Sequence, residues 1–300
     1  MFKKVSIIGF GLIGSSIARE IRKYKLSKII SACDISKSAQ KEVKSLRLAN
    51  EITSDVKTSV KNADLVFICS PLSTYKQIFL AINKSANKDA IITDVGSSKL
   101  NVVQLAEKIL SKNLCFVPGH PIAGTEESGP KSGFLKLFKN RWFIITPSKL
   151  TKKKQKIKIE KIWKKFGSKV TFMSAQSHDN IMAITSHIPH LIAYNIVGTA
   201  SKLEEKIKSE VIKFSASGFR DFTRIASSDP TMWRDIVISN KKQILFMLKK
   251  FNKDLKNLEM AIRNENKNKL FTIFKNTRNI RKKIIQTGQD TKVPNFGRKN

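Results

Sequence analysis

The segment 5-VSIIGFGLIGSSIAREIRKY-24 decides the fold. Val5–Ile8 is a short apolar strand, 13-IGSSIAREIRKY-24 carries apolar residues at helical spacing, and the turn between them reads Gly9-Phe10-Gly11-Leu12-Ile13-Gly14. A G-x-G-x-x-G turn alone is weak evidence for a nucleotide site. Here the context completes it: a second strand, 29-IISAC-33, ends at Asp34, twenty residues after Gly14. That is a β-α-β unit of about 30 residues carrying the full dinucleotide fingerprint. Gly9 permits the tight turn, Gly11 lets backbone approach a pyrophosphate, and Gly14 lets the helix pack closely on the strand. Leu12 and Ile13 open that helix, whose unpaired N–H groups face the diphosphate. Asp34 would accept from a ribose diol and repel a 2′-phosphate, so NAD is the expected cofactor. Nearby lysines, such as Lys37, soften the rejection of NADP.

Working outward, a helical stretch over 36–48 is followed by the strand patterns 64-DLVFICSP-71, 90-AIITDV-95, 114-LCFV-117, 142-WFIIT-146 and 169-KVTFM-173. Helical spacing occupies 99–110 and 151–167. This alternation predicts an α/β fold, a Rossmann-like, doubly wound and mostly parallel sheet. Ser70, Pro71 and Asp94 stand at carboxyl ends of strands, the edge where open α/β sheets bind ligands, and are expected to contact the cofactor. For Ser70 and Asp94 an ordinary strand-end turn is the alternative. After Ala175 no strand pattern appears, and long helices are expected over 177–206, 231–260 and 261–285. The expected division is a dinucleotide-binding domain over 1–175, an all-helical domain over 176–290, and a flexible tail over 291–300. No room is expected before residue 5 or after about 290 for a further domain.

Composition bounds the function class. Lys+Arg 57 against Asp+Glu 23 gives +34, which admits a nucleic-acid binder, an anionic-membrane binder or an enzyme of anionic ligands. The basic residues are dispersed and aromatics are seldom interleaved with them, so no nucleic-acid partner is expected. The richness in Ile, Asn and Phe, which share A/T-rich codons with Lys, makes compositional drift the plain explanation. The resulting field still favours an anionic small-molecule substrate. The lysines and apolar run at the N-terminus mimic a signal peptide, but the three glycines make it strand–turn–helix, and no segment is long enough for a membrane span. Cys33, Cys69 and Cys115 lie in or beside apolar runs without metal spacing, which suits a reducing, cytoplasmic setting.

The stretch 119-GHPIAGTEESG-129 follows 114-LCFVP-118. From the residues alone, His120 reads either as a loop histidine or as a base held over a cofactor. In 178-HDNIMAITSHIPHLIAYN-195, helical spacing puts Asp179, Ala183, Ser186 and His190 on one stripe, with His187 three residues before His190. No third ligand accompanies the two histidines, so no metal is expected. Pro189 is expected to kink this helix.

Taken in order, GFGLIG, DVGSSK, GHPIAGTEESG, SHIPH and GFRDFTRIASSDPTMWRDI resemble the prephenate/arogenate dehydrogenase family of tyrosine biosynthesis, over about residues 5 to 285. The resemblance implies an NAD-dependent oxidative decarboxylation of prephenate or arogenate in a homodimer joined through the helical domain. It implies that His120 takes the C4 hydroxyl proton and that Ser97 orients His120 and touches substrate. Ser98 stands where the family pattern has Val. Thr125 and Glu126 would line the pocket, His190 would bind the substrate's side-chain end, and Arg224 would clamp the ring carboxylate. Trp233 is implied near the site or as a packing residue. Gly218 is implied at the substrate pocket, preceded by 215-SAS-217 in place of a glycine-rich run. Arg220 and Arg234 are expected to pair with Asp221, Asp229 or Asp235.

Overall fold

The computed structural model describes residues 1–203, 210 and 213–286. The tail expected at 291–300 and the end of the expected 177–206 helix lie outside the described residues. The chain divides into two compact units, Met1–Ile244 and Leu245–Asn300.

The first unit is built on six strands, β1 (Phe2–Ile8), β2 (Ser27–Cys33), β3 (Glu51–Thr53), β4 (Leu65–Ile68), β5 (Ile91–Asp94) and β6 (Cys115–Val117). They run parallel in the order β3-β2-β1-β4-β5-β6. Helices α1 (Leu12–Lys23), α2 (Lys37–Ser45), α3 (Val56–Val60), α4 (Tyr75–Ser85) and α5 (Leu100–Ile109) make the crossovers. A sheet covered on both faces needs apolar residues at consecutive positions. Leu65 and Phe67 of β4 therefore enter one hydrophobic cluster while Val66 and Ile68 enter the other. The strand order reverses between β1 and β4, so a crevice opens beyond their carboxyl ends, beside the Gly9 turn.

The segments 142–146 and 169–173 are not in this sheet. β8 (Trp142–Ile145) and β9 (Lys169–Phe172) pair in parallel, and β8 also pairs antiparallel with β7 (Gly119–Pro121), putting His120 opposite Ile144. The stretch that reads as a loop is thus the edge of a separate three-stranded sheet. A Gly-His-Pro strand has no β-propensity of its own, and only its partner makes it extended. Helix α6 (Lys153–Lys165) packs beside it, with Trp163 stacked on Phe143 at 3.9 Å between ring centroids.

Among the described residues after β9 the regular elements are helical: α7 (Ala175–Met182), a π turn (Ala183–His187), α8 (Ile188–Ser201), α9 (Ser217–Thr223), α10 (Pro230–Ser239), α11 (Lys241–Arg263) and α12 (Lys267–Gln286). Pro189 sits in the first turn of α8, directly after the π turn. The helix expected over 231–260 is two helices, broken at Asn240, whose side chain bonds to Asp179 O and His187 Nδ1. The helix expected from 261 begins at Lys267, after a turn in which Glu265 takes a left-handed φ of 48°. The second unit, most of α11 together with α12, exposes Phe246, Leu255, Met260, Phe271, Phe274 and Ile280. Among the described residues no helix is long and apolar enough to cross a membrane.

Candidate active site

The glycine turn has the shape a diphosphate requires. Gly9 has φ +91° and a Cβ there would lie 2.7 Å from the Cys69 and Ser70 backbone beyond β4, while a Cβ on Gly14 would lie 2.0 Å from Gly9 O and force α1 away from the turn. Nothing lies within 4 Å of the corresponding position on Gly11, the side from which a phosphate would approach. Gly11 caps α1 without any side-chain hydrogen bond, leaving the Leu12, Ile13 and Gly14 end of the helix free to receive an anion. Asp34 is held by Phe10 N on Oδ2 (2.8 Å) and by Ser36 N on Oδ1 (2.9 Å), and each oxygen keeps a lone pair for a ribose hydroxyl. Ser70 and Pro71 follow β4 beside the Gly9 turn, Ser70 Oγ bonding to Thr74 Oγ1 at 2.8 Å. These groups fit NAD.

Asp94, expected among the cofactor contacts, faces inward instead. It is fully buried and receives Tyr75 OH, Gly96 N and Lys99 Nζ on Oδ2 and Gly119 N on Oδ1. Lys99 Nζ donates in turn to Gly119 O at 2.7 Å. The buried Asp94–Lys99 pair thus pins both backbone groups of the residue preceding His120. Burial pulls the Lys99 ammonium below its usual pKa, opposed by the Asp94 charge. Removing either partner would strand the other charge in the core, at a cost of about 3–5 kcal/mol.

His120 is buried on β7, with Nδ1 2.9 Å from His178 Nε2. His178 Nδ1 lies 2.8 Å from Asp179 Oδ1. Burial drives the His120 pKa well below the ordinary imidazole value, and His178, Lys99 and His187 push it the same way. The ring is therefore neutral near pH 7, as a proton acceptor must be. No hydrogen bond joins Ser97 to His120; the partner on that ring is His178. Ser98 Oγ is committed to Ser239 Oγ at 2.6 Å, which leaves Ser97 as the half-buried hydroxyl after β5.

The helical wall brings the remaining groups together. His190 stacks on Trp233 with ring centroids 3.7 Å apart, its Nδ1 bonded to Ser186 O. Arg224 pairs with Glu126 at 2.5 Å, while its buried Nε has no partner. A guanidinium with one N–H paired and another buried and unpaired is suited to an incoming carboxylate. Thr125 is exposed, accepting from Glu127 N, and Gly218 is exposed in the first turn of α9; both stand at solvent rather than in the buried cluster. Arg234 pairs with Asp235.

The predicted stripe from Asp179 to His190 is broken. The π turn inserts a residue into the helical period, so Asp179 turns to Lys99 N and Leu100 N while His190 turns to Trp233. His187 is fully buried, its Nδ1 facing Asn240 Nδ2 and its Nε2 unpartnered. Burial lowers its pKa to about 4. Among the described residues no group of three or more His, Cys, Asp or Glu could hold a metal ion. Sequence reasoning missed His178, Lys99 and Asn240. A lysine opening an otherwise apolar helix, and a His-Asp pair at the head of another, were the available signals.

The sequence profile of the prephenate dehydrogenase nucleotide-binding domain matches residues 17–172, and that of the prephenate dehydrogenase dimerization domain matches residues 174–276. A cyclohexadienyl dehydrogenase of Zymomonas mobilis is 37% identical over 281 residues, 94% of this chain and 96% of that one. A prephenate dehydrogenase of Bacillus subtilis is 33% identical, covering 92% of this chain and 75% of its own length. The crystal structure of prephenate dehydrogenase from Aquifex aeolicus in complex with hydroxyphenyl propionate and NAD⁺ superposes with a TM-score of 0.87 at 33% identity, covering 95% of this chain and 99% of that one.

Proposed function

The chain belongs to the prephenate dehydrogenase family, an NAD-dependent oxidoreductase family, and from that premise we propose that it converts prephenate to 4-hydroxyphenylpyruvate and arogenate to tyrosine. NAD⁺, when bound, supplies the hydride acceptor for ring C4, and the glycine turn and Asp34 are the residues that would hold it. The protein's own part is positioning and proton transfer. His120 Nε2, the ring nitrogen not bonded to His178, takes the C4 hydroxyl proton as C4 becomes a carbonyl. The ring carboxylate then leaves as CO₂, its bonding pair enters the ring, and the C4 oxygen recovers a proton from His120 as the ring becomes aromatic. General-base assistance of this kind contributes about 10²–10⁴-fold.

Arg224 holds the ring carboxylate in competition with Glu126, His190 on its Trp233 platform meets the side-chain end, and Ser97 stands at the hydroxyl. Thr125 and Gly218 sit at the rim. The single observation carrying this reading is the buried, neutral His120 held between the Asp94–Lys99 clamp and His178. The positive charge favours prephenate, the more anionic substrate.

We further propose that residues 1–175 carry the cofactor and 176–290 the substrate wall and the homodimer contact. The meeting of the two matched profiles between residues 172 and 174 supports this division. The compact-unit boundary after Ile244 weighs against treating 176–290 as one body. The three free cysteines support a reducing, cytoplasmic setting.

The test follows NADH absorbance with prephenate and arogenate, each with NAD⁺ and NADP⁺. Expected is turnover with NAD⁺, kcat/KM higher for prephenate, a loss mainly in kcat for His120→Asn and mainly in substrate affinity for Arg224→Ala. Undiminished kcat in His120→Asn refutes the base assignment, and equal kcat/KM for the two substrates refutes the charge argument.

A further inference from the structure

His178 and Asp179 have no part in the reaction as just described, yet they bear directly on the group that does. Both carboxylate oxygens of Asp179 accept backbone N–H groups, Lys99 N on Oδ1 at 2.8 Å and Leu100 N on Oδ2 at 2.9 Å, and the side chain is buried. A carboxylate fixed in this way is an acceptor, so His178 Nδ1, 2.8 Å from Oδ1, is the donor.

Neutral His178 then carries its lone pair on Nε2. That atom is 2.9 Å from His120 Nδ1, so the proton between them belongs to His120. A neutral imidazole has one N–H. With the proton on Nδ1, the lone pair of His120 is on Nε2, the nitrogen that must accept from the substrate.

We infer that the His178–Asp179 pair is a positioning device that fixes His120 in its Nδ1–H tautomer and so presents the Nε2 lone pair to the substrate hydroxyl. Imidazole in water favours the opposite tautomer, in which Nε2 carries the proton and cannot act as a base. The chain of bonds also serves the charged state. Once His120 has taken a proton, its Nδ1–H points along the line to His178 and the Asp179 carboxylate. The backbone clamp at Gly119 fixes where the ring stands, and His178 fixes which of its nitrogens is free. This inference rests on the reading of His120 as the base.

The test uses the full-length protein. His178→Leu removes the acceptor; His178→Gln keeps one, because a glutamine amide oxygen can reach the position of the imidazole Nε2. For His178→Leu the expected loss is about 10²–10⁴-fold in kcat, with NAD⁺ affinity and substrate KM changed by less than about threefold, since neither nucleotide nor substrate loses a contact. His178→Gln is expected to recover at least about tenfold of that loss. Long-range ¹H–¹⁵N correlation spectra of the histidine rings should show His120 as the Nδ1–H tautomer in the unsubstituted protein and not in His178→Leu.

Equal damage in the Leu and Gln variants indicates a packing role and overturns the inference, as does wild-type kcat in His178→Leu. Should His178→Leu not fold, the spectrum of the unsubstituted protein decides, and an Nε2–H tautomer at His120 overturns the inference. Failure of the base reading is separable: His120→Asn would then keep its kcat, whatever the tautomer of His120.

Discussion

The burial of His187 makes a quantitative prediction about acid stability. The side chain is fully buried, and Asn240 Nδ2 points at its Nδ1 while also donating to Asp179 O. Protonating Nδ1 would set one donor against another, and turning the Asn240 amide would set its oxygen against Asp179 O. Burial accordingly lowers the pKa from 6.5 to about 4. A histidine whose folded pKa lies below its unfolded value binds more protons when unfolded. The stability it contributes is complete above 6.5 and is lost as pH falls from there toward 4. At 1.36 kcal/mol per unit, the share lost between about pH 7.5 and about pH 5 is about 2 kcal/mol. Urea unfolding at the two pH values measures it, for the unsubstituted protein and for His187→Gln. The variant is expected to be less stable at neutral pH, because a packed and hydrogen-bonded ring is gone, yet to lose about 2 kcal/mol less on acidification. An identical pH slope in the two proteins would refute the argument, because His187 would then titrate alike folded and unfolded.

Two further outcomes follow from the nucleotide turn. Gly14→Ala places a methyl 2.0 Å from Gly9 O, so α1 must shift; a stability loss of about 1–3 kcal/mol by thermal unfolding is expected. Its NAD⁺ affinity by fluorescence titration is expected to fall with it, and unchanged affinity would show that the turn does not hold the diphosphate. Asp34→Ser removes a charged acceptor worth about 1.5–3 kcal/mol; kcat/KM with NAD⁺ should fall about 10- to 100-fold while that with NADP⁺ rises, and a fall for both alike would place Asp34 in the fold rather than at the ribose.

The sequence by itself determined the parallel sheet and its cofactor edge, because both depend on local order. A strand, a glycine turn, a helix and an acidic residue at fixed spacing can close in only one common way. It also carried His120, Arg224, Glu126, His190 and Trp233 as candidates through motif order, and the structure gathers the last four into contacting pairs. What it did not contain was pairing between distant residues. Gly119–Pro121 became a strand because β8 lies beside it. Asp94, at the edge where ligands bind, turned inward because a buried lysine and three other donors meet it there. The π turn broke a helical stripe that regular periodicity had drawn straight. His178, an unremarked residue at the head of a helix, lies next to His120 across 58 residues of chain. Local pattern fixes which face of an element is apolar; which two polar groups meet inside the protein is settled only when the elements pack, because each buried donor must then find an acceptor.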